Sequence, residues 1–128
     1  ALFRRAVGAL TMARKAGAYV SGFEKVRAAL SGRDKNEGGS TGDTVLLCAS
    51  DAGEDGRDKI ARLADRVGGV ARVDIFDAAE LGAASGREHT VHAVVLPGGA
   101  AQHVLETVRA YTAYRGDLAP AADIDLMD

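Results

Sequence analysis

The segment Thr44–Ser50, with the sequence TVLLCAS, is a short and almost continuously apolar run between two polar segments rich in turn residues. A run of this length without alternation of polar and apolar residues is typical of a central strand buried on both faces of a sheet. Segments with strand character also occur at Ala18–Val20, in ARVDIF (71–76) and in TVHAVVL (90–96). We therefore expect an open sheet whose central strand holds Cys48 in an inaccessible position.

Helical patterns separate these strand segments along the chain. Apolar residues recur at helical spacing over residues 2–16, and similar signals predict helices at 22–30, 55–67, 77–85 and 100–115. Ser31–Asp43 has no apolar side chain and is predicted to be a loop. Strands that alternate with helices favour a sheet covered by helices on both faces, so the predicted fold class is α/β, with a three-layer α/β/α sandwich.

The charges are distributed unevenly, although the formal net charge is only −2. Residues 1–27 contain six arginines and lysines and one acidic residue, Glu24, whereas residues 116–128 contain four aspartates and no arginine or lysine. A local cluster of cations attracts a polyanion whatever the total charge of the chain. The sequence therefore predicts a domain over 1–115 with a cationic end and an acidic, flexible tail over 116–128. A simply solvated helix face is the alternative explanation of the cations.

Composition limits the setting of the protein. A single cysteine excludes a disulfide framework, which favours a reducing, cytoplasmic environment. No apolar segment approaches the roughly 20 residues that a membrane-spanning helix needs, so no membrane partner is expected. The length of 128 residues suits one domain with its own hydrophobic core.

Residues with catalytic chemistry are scattered along the chain. The three histidines, His89, His92 and His103, have no partners at the spacing of a metal site, and no nucleophile–base pair or paired carboxylates stand out. His92 lies within a strand pattern, where a packed histidine is the expected interpretation. We therefore expect no enzyme activity, no metal ion and no cofactor.

The stretch ARKAGAYVSGFEKV, residues 13–26, has the pattern of a helix end, a short strand and a helix start. Arg14 and Lys15 close the first helix, and Gly17 follows as a C-terminal stop. The next helix begins near Gly22, where free backbone N–H groups beside cations suit a bound phosphate. Ordinary capping of two helices is the alternative interpretation.

Three motifs, in this order, resemble one known family. They are RKAG followed by SG in the first quarter, LLCASDAGEDGRDKI in the middle, and ELGAASGREHTVHAVVL later in the chain. The sequence resembles the ribosomal protein L-seven-Ae / L-thirty-e superfamily, in particular its bacterial YlxQ-like branch, over about residues 2–112. In many alphaproteobacteria that branch resembles the C-terminal half of a longer protein, so a preceding YlxR-type domain is a candidate part of the full-length chain.

The resemblance implies an L-thirty-e-like sandwich with a four-stranded mixed sheet, and binding of structured RNA, often kink-turns. The implied partners are ribosomal or ribosome-associated RNA and, with it, the ribosome or translation or transcription factors. In family members RNA contacts one end of the sandwich, formed by the first helix end, the second helix start and the loop before the last strand. On this chain those positions are Arg14, Lys15, Gly17, Gly22, Phe23, Glu24, Lys25, Arg27, Arg87, Glu88 and His89.

The start of the second helix departs from the family pattern. Kink-turn binders carry G-x-N-E-x-x-K there, whereas this chain has Gly22 followed by Phe23 and Glu24, with no asparagine. Phosphate contacts by Lys15, Lys25 and Arg27 do not require that asparagine, so affinity is expected to come mainly from phosphates. Phe23 is predicted either to stack on an unpaired base or to pack against its own helix. A protein-interaction domain on the same fold, without RNA contact, is the alternative function.

Overall fold

The computed structural model describes residues 2–35 and 44–115, with side chains described over 2–31 and 44–114. Five helices and four strands follow one another along the described chain. They are α1 (Leu2–Lys15), β1 (Tyr19–Ser21), α2 (Phe23–Lys35), β2 (Thr44–Cys48), α3 (Glu54–Val67), β3 (Val70–Val73), α4 (Ala78–Ser85), β4 (His92–Val95) and α5 (Gly99–Arg115). The acidic tail over 116–128 lies outside the described residues.

The strands form one four-stranded mixed sheet in the order β1-β4-β2-β3. β2 pairs in parallel with β3, and β4 pairs antiparallel with both β1 and β2. Leu46 of β2 lies opposite Val94 of β4 and Arg72 of β3, which fixes the register at the centre of the sheet. The predicted central strand is confirmed over Thr44–Cys48, two residues short of the predicted end at Ser50, and its position between two neighbours explains the continuous apolar run.

Alternate residues of the two inner strands face two separate hydrophobic layers. The set on the side of α1, α4 and α5 consists of Val45, Leu47, Ala93 and Val95. The set on the side of α2 and α3 consists of Leu46 and Val94. All of them are fully buried, and burying one Val or Leu side chain contributes about 1.5–3 kcal/mol. The predicted three-layer α/β/α sandwich is thus confirmed.

The described helices include none that is both long enough and apolar enough to cross a membrane.

Helix ends follow the local chemistry of the sequence. The Asp77 carboxylate accepts a hydrogen bond from the Glu80 N–H, and the Glu80 carboxylate accepts one from the Asp77 N–H, each at 2.8 Å. This reciprocal capping box begins α4. After α1, Gly17 has a φ of +78°, a conformation that glycine adopts without strain. The predicted N-cap at Asp77 and the predicted stop at Gly17 are both confirmed.

α2 is longer than predicted. The sequence pattern favoured a helix over 22–30 and a loop over Ser31–Asp43, but the helix continues to Lys35. Apolar periodicity marks the part of a helix that packs on a core, so a polar last turn gives no such signal, and a single Gly32 costs only about 1 kcal/mol in a helix. The rest of the predicted loop, residues 36–43, lies outside the described residues.

The bounds of several strands differ from those that the sequence predicted. β3 ends at Val73, although ARVDIF predicted a strand through Phe76. The last β2–β3 pair joins Val73 to Leu47, and β2 ends at Cys48, so residues 75 and 76 lie beyond the end of β2. The Phe76 carbonyl instead accepts a hydrogen bond from the Ser50 N–H at 2.8 Å. β4 is shorter than predicted at both ends, since it covers His92–Val95 in place of 90–96. β1 keeps the predicted length of three residues but is shifted by one, to Tyr19–Ser21.

Cys48 is more accessible than predicted. β3 has no partner for this last residue of β2, so the side chain is only half-buried and lines a surface cavity of about 790 Å³ between α3 and β3. Burial raises the pKa of the Cys48 thiol, the Arg57 and Arg72 charges oppose that rise, and Asp74 adds to it. The expectation of an inaccessible thiol is therefore wrong.

Candidate nucleic-acid interface

The start of α2 and the loop before β4 meet at one end of the sheet. β1 pairs with β4 as far as Ser21, opposite Ala93, and the next N–H, that of Gly22, donates a hydrogen bond to the His92 carbonyl at 3.0 Å. Gly22 has a φ of +102°, which lets the chain leave the strand and enter α2 directly. A pocket of about 290 Å³, which we call the loop pocket, lies here; it is lined by Gly22, Phe23, Arg87, His89, Thr90, Val91 and His92.

The end of α1 brings a cation to the same region. The guanidinium of Arg14 lies over Gly86, so a Cβ at that glycine would be 2.7 Å from one of its terminal nitrogens. Gly86 ends α4 with a φ of +74°, in the left-handed region. Glycine at position 86 thus leaves room for Arg14 beside the loop that carries Arg87.

Tyr19 joins β1 to the end of α4. Its hydroxyl is 2.7 Å from Ser85 Oγ, and the Ser85 hydroxyl donates to the Leu81 carbonyl at 2.8 Å. Burial raises the pKa of Tyr19, while the Ser85 hydrogen bond and the Arg14 charge oppose that rise. The phenol therefore stays protonated at neutral pH and holds β1 and α4 together.

Gly82 allows the loop before β4 to lie directly on α4. A Cβ at this position would be 2.5 Å from the Glu88 carbonyl oxygen and 2.8 Å from His89 Cα. These are backbone atoms, which cannot move aside as the end of a flexible side chain can. The Arg87 N–H also donates a hydrogen bond to the Gly82 carbonyl at 2.8 Å, so the loop is fixed on the helix.

Two buried polar residues form part of the pocket wall. Thr90 and His92 are 5% and 4% exposed, and among the described residues Thr90 Oγ1 and His92 Nε2 have no hydrogen-bond partner. Burial lowers the pKa of His92, and the Arg57 charge lowers it further, so the imidazole is neutral at pH 7. The Phe23 ring contacts this imidazole edge-on, with ring centroids 5.7 Å apart. The packed histidine expected from the strand pattern is confirmed.

Four of the eleven residues predicted for the site are brought together at this pocket. Gly22, Phe23, Arg87 and His89 line it. Three more, Lys15, Lys25 and Glu88, are exposed. In the sequence Lys15 follows Arg14, Lys25 lies two residues after Phe23, and Glu88 lies between Arg87 and His89.

Arg27 and Glu24 are arranged differently from the rest. The Arg27 guanidinium pairs with the Glu24 carboxylate at 2.8 Å, three residues earlier on α2. Arg27 also lines a second depression, the α2–α3 groove, in place of the loop pocket. The Glu24 carboxylate is therefore already engaged by a cation of its own helix.

Several residues that shape this region escaped the sequence analysis. They are Tyr19, Gly82 and Ser85, together with three cations of α3, namely Lys59, Arg62 and Arg66. Two signals were available: two glycines four residues apart in ELGAASG, and cations at i, i+3 and i+7, which share one helix face. Within residues 2–31 and 44–114, no group of three or more His, Cys, Asp or Glu side chains could hold a metal ion.

Comparison with known proteins supports the fold and carries no functional information. No protein-family model and no curated protein sequence matches the chain. A solved structure of a protein with unknown function from Bacillus halodurans C is similar, with a TM-score of 0.69 and 19% sequence identity. The alignment covers 82% of this chain and 97% of that chain, so the two share the three-layer architecture.

Proposed function

We propose that the chain is an RNA-binding domain that recognises structured RNA, ribosomal or ribosome-associated, mainly through phosphate contacts. The observation that carries the proposal is the loop pocket, because it joins the start of α2 to the loop containing Arg87 and His89. These are the segments that the family resemblance assigns to RNA. The proposal assigns binding without catalysis, in the cytoplasm, with the ribosome or its factors as further partners.

Backbone donors at the start of α2 favour an anion. The first intrahelical bond of this turn runs from the Val26 N–H to the Gly22 carbonyl at 2.9 Å. The N–H groups of Phe23, Glu24 and Lys25 precede it and have no partner within the helix. A phosphate placed there would accept from these donors and gain from the helix dipole, with the Lys25 ammonium in the same turn.

The exposed cations extend this anion site across the two segments. Lys15, Lys25 and Arg87 are exposed, and among the described residues none of them forms an ion pair. Arg14 is also exposed and lies against Gly86 at the same end. Each cation that replaces a counterion on a duplex phosphate contributes about 0.9 to the slope of log K against log salt.

Phe23 supplies a phenyl ring to the wall of the loop pocket. Its half-buried ring contacts His92 and lines both the loop pocket and the α2–α3 groove. An unpaired base that stacks on the remaining face would gain about 1–3 kcal/mol. Phe23→Ala is thus expected to weaken binding only for RNAs with an unpaired base, which separates stacking from packing against its own helix.

An RNA titration tests the proposal. The probe is a fluorescent RNA hairpin with an asymmetric internal loop, titrated at several salt concentrations with the wild type and with the double variant Lys25→Ala/Arg87→Ala. Loss of two phosphate contacts is expected to lower the salt slope by about 1.8. The matched control is Arg4→Ala/Arg5→Ala, which removes the same charge from the first turn of α1, where both residues are exposed.

Equal slopes for the two double variants would contradict the proposal. So would a wild-type affinity at low salt no greater than that of a protein of equal size and charge. In either case the cationic end is a solvated surface, and a protein-interaction domain without RNA contact becomes the preferred function.

A further inference from the structure

The α2–α3 groove is strongly basic. It has a volume of about 380 Å³, and its floor includes Ile60 and Leu63. Among the residues whose side chains the structure describes, four cations and no acidic residue line it; the cations are Arg27 of α2 and Lys59, Arg62 and Arg66 of α3.

The three α3 cations have no counter-charge of their own. They follow one another at i, i+3 and i+7, so they share one face of the helix, where like charges repel. Among the described residues none of the three forms an ion pair. Asp55 and Asp58 precede Lys59 and Arg62 by one turn, but neither acid lines the groove or forms an ion pair with these cations.

Other charges on the same helix behave differently. Arg57 lies 3.9 Å from Asp74 of the neighbouring segment, and Asp65 lies 3.7 Å from Arg72 of β3. The α3 residues facing β3 are thus paired with opposite charges, whereas those facing α2 are not. Within the described residues, the α3 cations of the groove are therefore available to an anion from outside the chain.

The groove is continuous with the loop pocket. Phe23 lines both, so the two depressions meet at the first residue of α2. Lys59 and Arg66 are seven residues apart, which spans about 10 Å of helix. That distance matches about three nucleotides at the 3.4 Å rise of one strand in a duplex. A nucleic-acid strand that occupies the pocket can therefore continue along the groove.

We propose that the α2–α3 groove binds the backbone phosphates of an RNA stem that extends beyond the segment held at the loop pocket. This inference rests on the proposed RNA-binding function and adds a second track of contacts, made by Lys59, Arg62 and Arg66. Contacts in the groove raise the affinity for longer stems, whereas base recognition is confined to the loop pocket. Flexible cations over an apolar floor contact phosphates, and phosphate contacts carry no sequence information.

Two hairpins that differ only in stem length test the inference. Both carry the same asymmetric internal loop, and the stem of the longer one is extended by one helical turn on one side of that loop. A third hairpin has the same extension on the other side of the loop, so that one of the two long hairpins reaches the groove in either binding orientation. Arg62→Ala/Arg66→Ala removes two exposed charges from the groove, and Arg4→Ala/Arg5→Ala is the matched control. Circular dichroism verifies that both variants are folded.

The groove variant is expected to lower the salt slope by about 1.8 on one long hairpin and to leave the short hairpin within twofold of the wild type. Between about 50 and 200 mM salt, that slope difference corresponds to a change of about 12-fold in relative affinity. The control variant is expected to leave every hairpin within twofold.

A groove variant that weakens all hairpins equally, or none, would overturn the inference while leaving RNA binding at the loop pocket intact. Binding of poly-glutamate that is lost in Arg62→Ala/Arg66→Ala, with long-hairpin affinity unchanged, would also overturn it and assign the groove to an acidic protein. Failure of the proposed function has a different signature, because the wild type then has no affinity for the short hairpin either.

Discussion

Replacing Gly82 with alanine is expected to destabilise the protein and weaken RNA binding together, since this glycine lets the loop before β4 lie on α4. The added methyl group would meet the Glu88 carbonyl oxygen at 2.5 Å, and ordinary contact begins near 3.4 Å. The loop backbone therefore has to move by about 0.9 Å, the difference between the two distances. That movement strains the hydrogen bond from the Arg87 N–H to the Gly82 carbonyl.

The expected cost follows from opposing terms. Alanine in place of glycine within a helix gains about 1 kcal/mol of helix propensity. Overpacking against rigid neighbours costs about 1–3 kcal/mol, and the loss of one hydrogen bond costs about 1 kcal/mol more. With the clash at the upper end of its range, the net loss is about 2–3 kcal/mol, which lowers the midpoint of thermal unfolding by roughly 8–12 °C at about 4 °C per kcal/mol.

Gly8→Ala is the matched control. Gly8 is an exposed helical glycine in α1, and a Cβ there would have nothing within 4 Å. This variant is expected to be as stable as the wild type or up to about 1 kcal/mol more stable. Thermal unfolding followed by circular dichroism measures both, and hairpin titration measures affinity. The reasoning is refuted if Gly82→Ala unfolds at or above the temperature of Gly8→Ala.

Three further predictions follow from the same region and its neighbours. Gly86→Ala is expected to displace the Arg14 guanidinium and weaken RNA binding. Gly68→Ala places a methyl group at another glycine of positive φ, with nothing within 4 Å, and is expected to leave affinity unchanged; equal affinities of the two variants would count against the contact. The pKa of His92 in the folded protein lies below the unfolded value of about 6.5, so near these pH values the unfolded chain binds more protons than the folded one. Neutral His92 therefore contributes its full stabilisation above a pH of about 6.5, and this contribution is lost as the pH falls through the folded pKa. Denaturant unfolding at several pH values is expected to give a flatter profile for His92→Gln, and an unchanged profile would refute the assignment. Cys48 is expected to react with a thiol reagent in the native state, more slowly than in denaturant and faster as pH rises; complete protection would contradict its half-buried position.

The fold was predictable wherever burial leaves a periodic signal. The run TVLLC predicted the central strand because β2 has neighbours on both sides and helices on both faces. DAAE predicted the start of α4 because a capping box is local chemistry. The last turn of α2 and the end of β3 were mispredicted because neither is decided locally: a polar turn carries no periodicity, and the end of a strand depends on its pairing with a neighbouring strand.

The site was predictable only in part. Gly17 and Gly22 mark the chain reversals around β1, and both adopt positive φ angles. The position of the loop before β4 against α2 depends on antiparallel pairing between β1 and β4, which are far apart in sequence. The role of Gly82 was likewise hidden, because the atoms that exclude a side chain belong to a loop whose path the sequence does not specify.

Identification of crosslinked residues tests the central claim most directly. RNA bound to the protein in cells is crosslinked with ultraviolet light, the RNA is sequenced, and the attached peptides are identified by mass spectrometry. The account predicts structured RNA attached within residues 14–27 and 86–91, with Phe23 and His89 among the attachment points. Recovery of no RNA above a size-matched control, or attachment confined to α5 and the first turns of α1, would contradict it.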